Sequence, residues 1–208
     1  RLGGGDVFSY YNTGDARIIG IELEGRVNLL ETDNSKLKLS GNVSYIDHIQ
    51  NLKDSSEGIN VNGAPRTFQY GGNTEIGLEG ASDWTTNLAL TFETGKDYPY
   101  QFSIAGNYAS DSIYALGAPI DVNPPGIENT NFNGEIIERG FVVLDFILNK
   151  EINDNLSVGL TGQNLLNPNI DRYQNVASEY GISSRTQEET VLSYKRGINF
   201  SLNISYKF

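Results

Sequence analysis

The sequence predicts an all-β chain of antiparallel strands, each with one apolar and one polar face. Three observations carry that prediction. A period of two recurs in about seven segments, no segment shows a helical period, and the links between segments alternate short and long.

The first segment, IGIELEGRV, sets Ile19, Ile21, Leu23 and Val27 against Gly20, Glu22, Glu24 and Arg26. Successive strand residues point to opposite faces, so the segment has one apolar and one charged side. Next, KLKLSGNVSY opposes Leu37, Leu39, Val43 and Tyr45 to Lys38, Ser40, Asn42 and Ser44. TNLALTFE opposes Leu88, Leu90 and Phe92 to Asn87, Ala89, Thr91 and Glu93, and QFSIAGNY opposes Phe102, Ile104 and Tyr108 to Gln101, Ser103 and Asn107.

VVLDFIL is the least clean: Val142, Leu144, Phe146 and Leu148 face one way, while Val143 and Ile147 share the other side with Asp145. NLSVGLTGQN sets Leu156, Val158 and Leu160 against Ser157, Thr161 and Gln163. The closing GINFSLNISYKF alternates completely, with Phe200, Leu202, Ile204, Tyr206 and Phe208 opposite Asn199, Ser201, Asn203, Ser205 and Lys207.

Short polar links, ETDNS (31–35), TGKDYP and NDN, join the first pair, the third to the fourth and the fifth to the sixth segment. The long links, 51–84, 116–140 and 167–195, hold all but one of the prolines together with much Asn, Ser and Gly, and read as loops. Short turns therefore lie at one end of the sheet and long loops at the other.

Composition narrows the function. Net charge is −11, which argues against nucleic acid, whose phosphates need clustered Lys and Arg. Cysteine is absent and histidine occurs once, as His48, which removes thiol chemistry and multi-histidine metal sites. His48 reads as an ordinary polar residue near a strand end. No apolar run is long enough for a membrane helix, and neither an initiator Met nor a signal peptide is present, so the chain reads as a mature protein or a piece of one.

Two solvents fit the alternation. A soluble β-sandwich buries its apolar face and wets the polar one. Here, however, the polar faces are mostly Asn, Ser, Thr, Gly and Gln, and the segments exceed the usual ~5 to 6 residues of globular strands. An inverted arrangement, with the apolar face on lipid and the polar face lining an interior, accounts for both. Strands of about 9 to 11 residues, tilted, cross the bilayer core. Tyr45, Phe92, Tyr108, Tyr206 and Phe208, near strand ends, fit interfacial girdles. The fold class is thus an antiparallel transmembrane β-barrel. Unpaired strand edges cannot remain in lipid, so the barrel must close. Either residues 6–12 (DVFSYYN) supply an eighth strand, or the chain is the C-terminal part of a larger barrel.

Three stretches carry a resemblance. YNTGDARIIGIELEGRV (11–27), ERGFVVLDFILNKEINDNLSVGLTGQNLLNPNIDRY (138–173) and the ending RGINFSLNISYKF resemble, in order, strands of TonB-dependent outer-membrane receptors. The Tyr- and Asn-rich, Met-free style resembles receptors of the Bacteroidetes type. That family has a plug domain and about 22 strands, so the resemblance implies that residues 1–208 are the C-terminal third of such a barrel without its plug. It further implies a bacterial outer-membrane location and import of a scarce solute (siderophore, cobalamin, glycan or peptide), with no cofactor. The implied partners are lipid, the rest of the barrel and its plug, the TonB complex acting through that plug, and the barrel-assembly machinery. The machinery would read Phe200, Leu202, Ile204, Tyr206 and Phe208.

Loop residues would set selectivity: Arg66, Phe68 and Tyr70 in the first long link, Tyr114, Asp121 and Phe132 around the second, and Tyr173, Tyr180 and Arg185 in the third. No catalytic set is found; Glu22 and Glu24 read as interior-facing strand residues, and Glu188 and Glu189 as a solvated loop edge. DVNPPGIENTNFNGE carries oxygen ligands without the spacing of a calcium loop. The alternatives are a complete eight-stranded barrel with a structural or adhesion role and a soluble carbohydrate-binding β-sandwich.

Overall fold

A computed structural model describes residues 15–52, 56–59, 65–69, 75–95, 97–117, 120–121, 133–177 and 186–208. Among the described residues every regular element is a strand. In chain order these are β1 (Ala16–Glu31), β2 (Ser35–Asn51), β3 (Ser56–Ile59), β4 (Pro65–Gln69), β5 (Glu75–Ile76), β6 (Trp84–Thr94), β7 (Tyr100–Ala109), β8 (Ser112–Ala115), β9 (Ile120–Asp121), β10 (Asn133–Glu138), β11 (Phe141–Glu151), β12 (Leu156–Gln163), β13 (Ile170–Ala177), β14 (Thr186–Tyr194) and β15 (Asn199–Tyr206).

The seven periodic segments form one sheet, in the order β1-β2-β6-β7-β11-β12-β15, with short β5 added to β2. Every pairing is antiparallel and joins strands in chain order, as short turns and returning loops dictate. The register keeps the apolar residues together. Leu39 lies opposite Leu90, Leu90 opposite Ile104, Ile104 opposite Phe146, Phe146 opposite Gly162 and Gly162 opposite Phe200. A one-residue slip anywhere would turn a strand's apolar set to the other face, so this row fixes every pairing.

That apolar face has no cover. Among the described apolar residues only Leu52 and Ile170 are buried, while Ile21, Leu23, Leu88, Phe200, Leu202 and Ile204 stand exposed. A sandwich would bury such a face against a second sheet; with no sheet packed there, the sandwich alternative does not describe this chain. Aromatic pairs mark the two ends of the apolar band. Tyr45 and Trp84 meet at 4.7 Å at the end with the long links. Phe92 and Tyr100 (5.8 Å) and Tyr206 and Phe208 (5.2 Å) meet at the end with the short turns.

The sheet is open. Among the described residues β1 pairs only with β2, and β15 only with β12. A complete small barrel requires first and last strands to pair, and among the described residues β1 and β15 do not. The proposed eighth strand, residues 6–12, lies outside the described residues.

The long links are not simply loops, which corrects the reading of their Asn, Ser, Gly and Pro content. Strands β14-β13-β10-β8 form a four-stranded sheet and β3-β4-β9 a three-stranded one. Four strands of the main sheet thus continue beyond brief breaks at 110–111, 139–140, 164–169 and 195–198. Turn-forming residues here punctuate extended hairpins, and the pairings that join different links, β10 with β13 and β4 with β9, are invisible to a local pattern.

Candidate functional site

The polar face offers a surface of amides, hydroxyls and carboxylates. Asn42 Nδ2 donates to Glu22 Oε1 at 2.7 Å, and Asn87 Nδ2 donates to Asn42 Oδ1 at 2.8 Å. The register that sets Asn42 opposite Asn87 carries this ladder across β1, β2 and β6, and Asn107 of β7 lies next in the row. Glu24 pairs within β1 with Arg26 at 2.5 Å. Glu22 and Glu24 therefore work as separate hydrogen-bonding groups on one wall.

Toward the short turns, the Thr91 and Ser103 hydroxyls lie 3.0 Å apart, and Gln101 Nε2 donates to Glu93 Oε1 at 3.0 Å. A depression of about 390 Å³ opens there, lined among others by Glu93, Gln101, Asn149, Ser157, Asn203 and Ser205. This lining can exchange hydrogen bonds with a polar guest or protein segment; it contains no nucleophile and base in contact.

Where the main sheet gives way to the four-stranded sheet, three strands are pinned by one cluster. The Asn164 backbone N–H donates to Asp145 Oδ1 at 2.8 Å, Asn164 Nδ2 donates to the Gly197 carbonyl at 2.7 Å, and the Gly197 N–H donates to Asn167 Oδ1 at 3.0 Å. Asn164, Asn167 and Gly197 all have positive φ (57°, 43° and 85°). Asn and Gly are the residues that enter this region at least cost. Asp145, the polar interruption of an apolar strand, is thus the anchor of a turn.

Arginines organise the four-stranded sheet. Arg172 stacks over Tyr114 at 3.5 Å and pairs with Glu138 at 2.7 Å. Arg139 lies 4.4 Å over the Tyr173 ring and pairs with Glu188. The Tyr173 hydroxyl reaches Asp111 Oδ2 at 3.4 Å, and the other Asp111 oxygen accepts from the Gly140 N–H at 2.7 Å. Burial, and then the neighbouring Asp111 carboxylate, push the Tyr173 phenol above the ordinary tyrosine value.

The structure brings two of the predicted loop aromatics, Tyr114 and Tyr173, into this one sheet, each under an arginine. Phe68 of β4 is the register partner of Asp121 of β9, with Arg66 two residues away on β4, so the first and second long links meet. Tyr70, Phe132, Tyr180 and Arg185 lie outside the described residues, as does most of the candidate calcium stretch. Glu188 and Glu189 are not a loop edge: they sit on β14, opposite Asn175 and Gln174. Phe200, Leu202, Ile204 and Tyr206 share the apolar face of β15, and Phe208 follows it, all exposed. Among the described residues no group of three or more His, Asp or Glu is placed to hold a metal.

Sequence reasoning read His48 only as an ordinary polar residue near a strand end, whereas its imidazole is buried, and it missed the arginines Arg139 and Arg172. None has a local signal, since each is defined by a partner far along the chain. The pair Asn164 and Asn167 had one: two asparagines bracketing a Leu-Leu after a strand suit a turn with positive φ.

The family described as TonB dependent receptor-like, beta-barrel matches residues 1–165. Neither the curated proteins nor the solved structures gave a match.

Proposed function

This chain belongs to the TonB-dependent receptor β-barrel family, and on that premise we propose that residues 1–208 form the C-terminal part of the barrel of an outer-membrane importer. The family is one of outer-membrane transport receptors rather than of enzymes. The observation that carries the reading is the seven-strand meander with one unbroken, uncovered apolar face. Lipid is the solvent such a face needs, and its opposite, amide-rich face then lines an aqueous interior.

Among the described residues neither β1 nor β15 has a partner on its outer edge, and lipid cannot satisfy an open edge, so further strands of the same barrel would cover them. The polar face, with its depression at the short-turn end, is the surface against which a plug would seat. Energy would arrive from the inner membrane through TonB acting on that plug. The extracellular side, where Tyr114, Tyr173, Arg66 and Phe68 lie, would receive the solute: an iron chelate, cobalamin, glycan or peptide. The barrel-assembly machinery would read the apolar residues of β15 and Phe208.

The test is uptake. Cells carrying the full-length gene, with TonB active or deleted, are given labelled members of these four solute classes. TonB-dependent accumulation of one class is expected; equal accumulation with and without TonB, or none for any class, overturns the importer reading. Heat-modifiable gel mobility of the purified protein checks the barrel separately.

A further inference from the structure

His48 is the chain's single histidine, and its side chain is only 6% exposed. It sits near the end of β2 on the polar side, where segment 75–83 crosses that strand. Four contacts hold the segment there. Gln50 and Asn51 pair with Ile76 and Glu75 of β5. Gln50 Nε2 donates to the Gly77 carbonyl at 3.0 Å. The Ile46 N–H donates to the Asp83 carbonyl at 2.9 Å. Finally, the Leu78 N–H donates to His48 Nδ1 at 2.9 Å.

The segment also reaches the four-stranded sheet. The Gly80 N–H donates to the Ile113 carbonyl at 2.7 Å, and Glu79 Oε1 accepts from the Leu116 N–H at 3.2 Å. It is therefore a strap tying the end of β2 to β8.

The Leu78 contact fixes the imidazole's proton. Nδ1 accepts a hydrogen bond, so it carries no hydrogen, and a neutral ring then has its hydrogen on Nε2. Nε2 stands 3.2 Å from Asp83 Oδ1, yet it is buried without a well-formed hydrogen bond. A ring in this state has no lone pair to spare for a metal or for a substrate proton. What it can still do is gain a proton at Nδ1. That would set an N–H against the Leu78 N–H, in a site where the ring is only 6% exposed.

Of the charged groups around the ring, Asp83 has a side chain 62% exposed and screened by water. Glu75 is exposed, and Glu79 is engaged by Leu116. Arg17 and Asp47 pair at 3.6 Å with each other, from positions facing away from His48 across the sheet. Ile18 of β1 and Ile113 of β8 contribute only apolar surface.

We propose that His48 is an acid-released latch: uncharged, it holds strap 75–83 on β2, and a proton on Nδ1 lets the strap go. Its place, on the side of the long links, makes acidity a control on how the four-stranded sheet is tethered to the end of β2. The latch does not depend on the importer reading, because its closing and opening can be read without any solute.

The full-length protein, labelled with ¹⁵N in its histidine ring, is compared at about pH 7.5 and about pH 5, the span in which imidazoles change charge. The proton is expected on Nε2 alone at the higher pH and on both nitrogens at the lower one. Amide exchange across residues 76–82, corrected for its intrinsic pH dependence, should then rise about tenfold or more, as for local opening. In His48→Asn, whose Oδ1 is attached at the same carbon as Nδ1 and can accept from Leu78 at either pH, that rise should vanish. A proton on Nδ1 at neutral pH, an unchanged strap around a doubly protonated ring, or the same acid response in His48→Asn each overturns the latch. The ring spectrum of the unsubstituted protein decides the first two even if the variant fails to fold.

Discussion

The rings of Phe146 and Phe200 meet at 6.3 Å across Gly162, the residue that stands between them in the register. Phe102 extends the row, its ring 6.4 Å from Phe146. Rings from β7, β11 and β15 thus share one aromatic layer, and it closes only because β12, between β11 and β15, offers no side chain at that point. A Cβ on Gly162 would overlap Phe146 and stand 3.0 Å from Phe200 Cε1.

Gly162→Ala is therefore expected to push the rings apart and to cost about 1–3 kcal/mol, the usual cost of overpacking. Gly25→Ala is the control, since a Cβ there meets nothing within 4 Å. It should be neutral or slightly stabilising, because glycine within a strand loses more backbone freedom on folding than alanine. The measurement is the midpoint of thermal unfolding, read by heat-modifiable gel mobility. Equal midpoints for the two variants would sink the aromatic-layer account.

The Asp145, Asn164 and Gly197 cluster gives a graded series. Asn164→Gly keeps the positive φ but loses the amide bond to the Gly197 carbonyl, and should cost about 0.5–1.5 kcal/mol. Asn164→Ala loses the bond and also places a Cβ in a disfavoured conformation, adding about 1 kcal/mol. Asp145→Ala removes the charged acceptor of the Asn164 N–H and should cost about 1.5–3 kcal/mol. Amide exchange at 164–167 and 195–198 should rise in the same order, ahead of the rest of β12. Should Asn164→Ala prove milder than Asn164→Gly, the conformational part of the account fails.

How much of this was legible in the sequence differs by kind of feature. All seven long strands could be read, because alternation is local and lipid-facing strands must keep it without a break. Leu23, Leu39, Leu90, Phe146 and Leu202 each stand on the face the period assigns. What the pattern hid is non-local. β8, β10, β13 and β14 pair with one another across long separations in links whose composition suggests turns. Tyr114 and Tyr173 could be picked out as aromatics, but not the arginines above them, Arg172 and Arg139, which arrive from other strands. His48 is the extreme case: its single partner for Nδ1 lies thirty residues on, in a stretch without strand character.

The four-stranded sheet should weaken in alkali, and Tyr173 is the reason. Its phenol lies above the ordinary tyrosine value, first through burial and then through the Asp111 charge, against the lowering effect of Arg139. A group whose folded value is raised adds stability that is complete below the unfolded value, about 10, and is lost as pH climbs through the folded one. Thermal midpoints of the parent should therefore fall more steeply above about pH 10 than those of Tyr173→Phe, which has no proton to lose. Phenolate absorbance followed in parallel identifies the group. If Tyr173 ionises at lower pH than the exposed tyrosines, the sign is reversed and its burial is not what governs it.

The orientation of the whole sheet can be decided at two adjacent residues. Leu202 and Ser201 are neighbours in the middle of β15, and their register partners are Leu160 and Thr161. If the apolar face meets lipid, Leu202→Arg puts a guanidinium near the bilayer centre, at a cost of about 2–4 kcal/mol. Ser201→Arg puts the same group into the aqueous interior beside Thr161, at a cost of less than about 1 kcal/mol. A soluble fold with its apolar side against protein would also reject Leu202→Arg, so the ranking alone does not suffice. The lipid makes the difference: in bilayers of increasing thickness the penalty at Leu202 should grow as the residue lies deeper in hydrocarbon, while that at Ser201 stays constant. A penalty at Leu202 independent of thickness would mean that protein, and not lipid, covers this face.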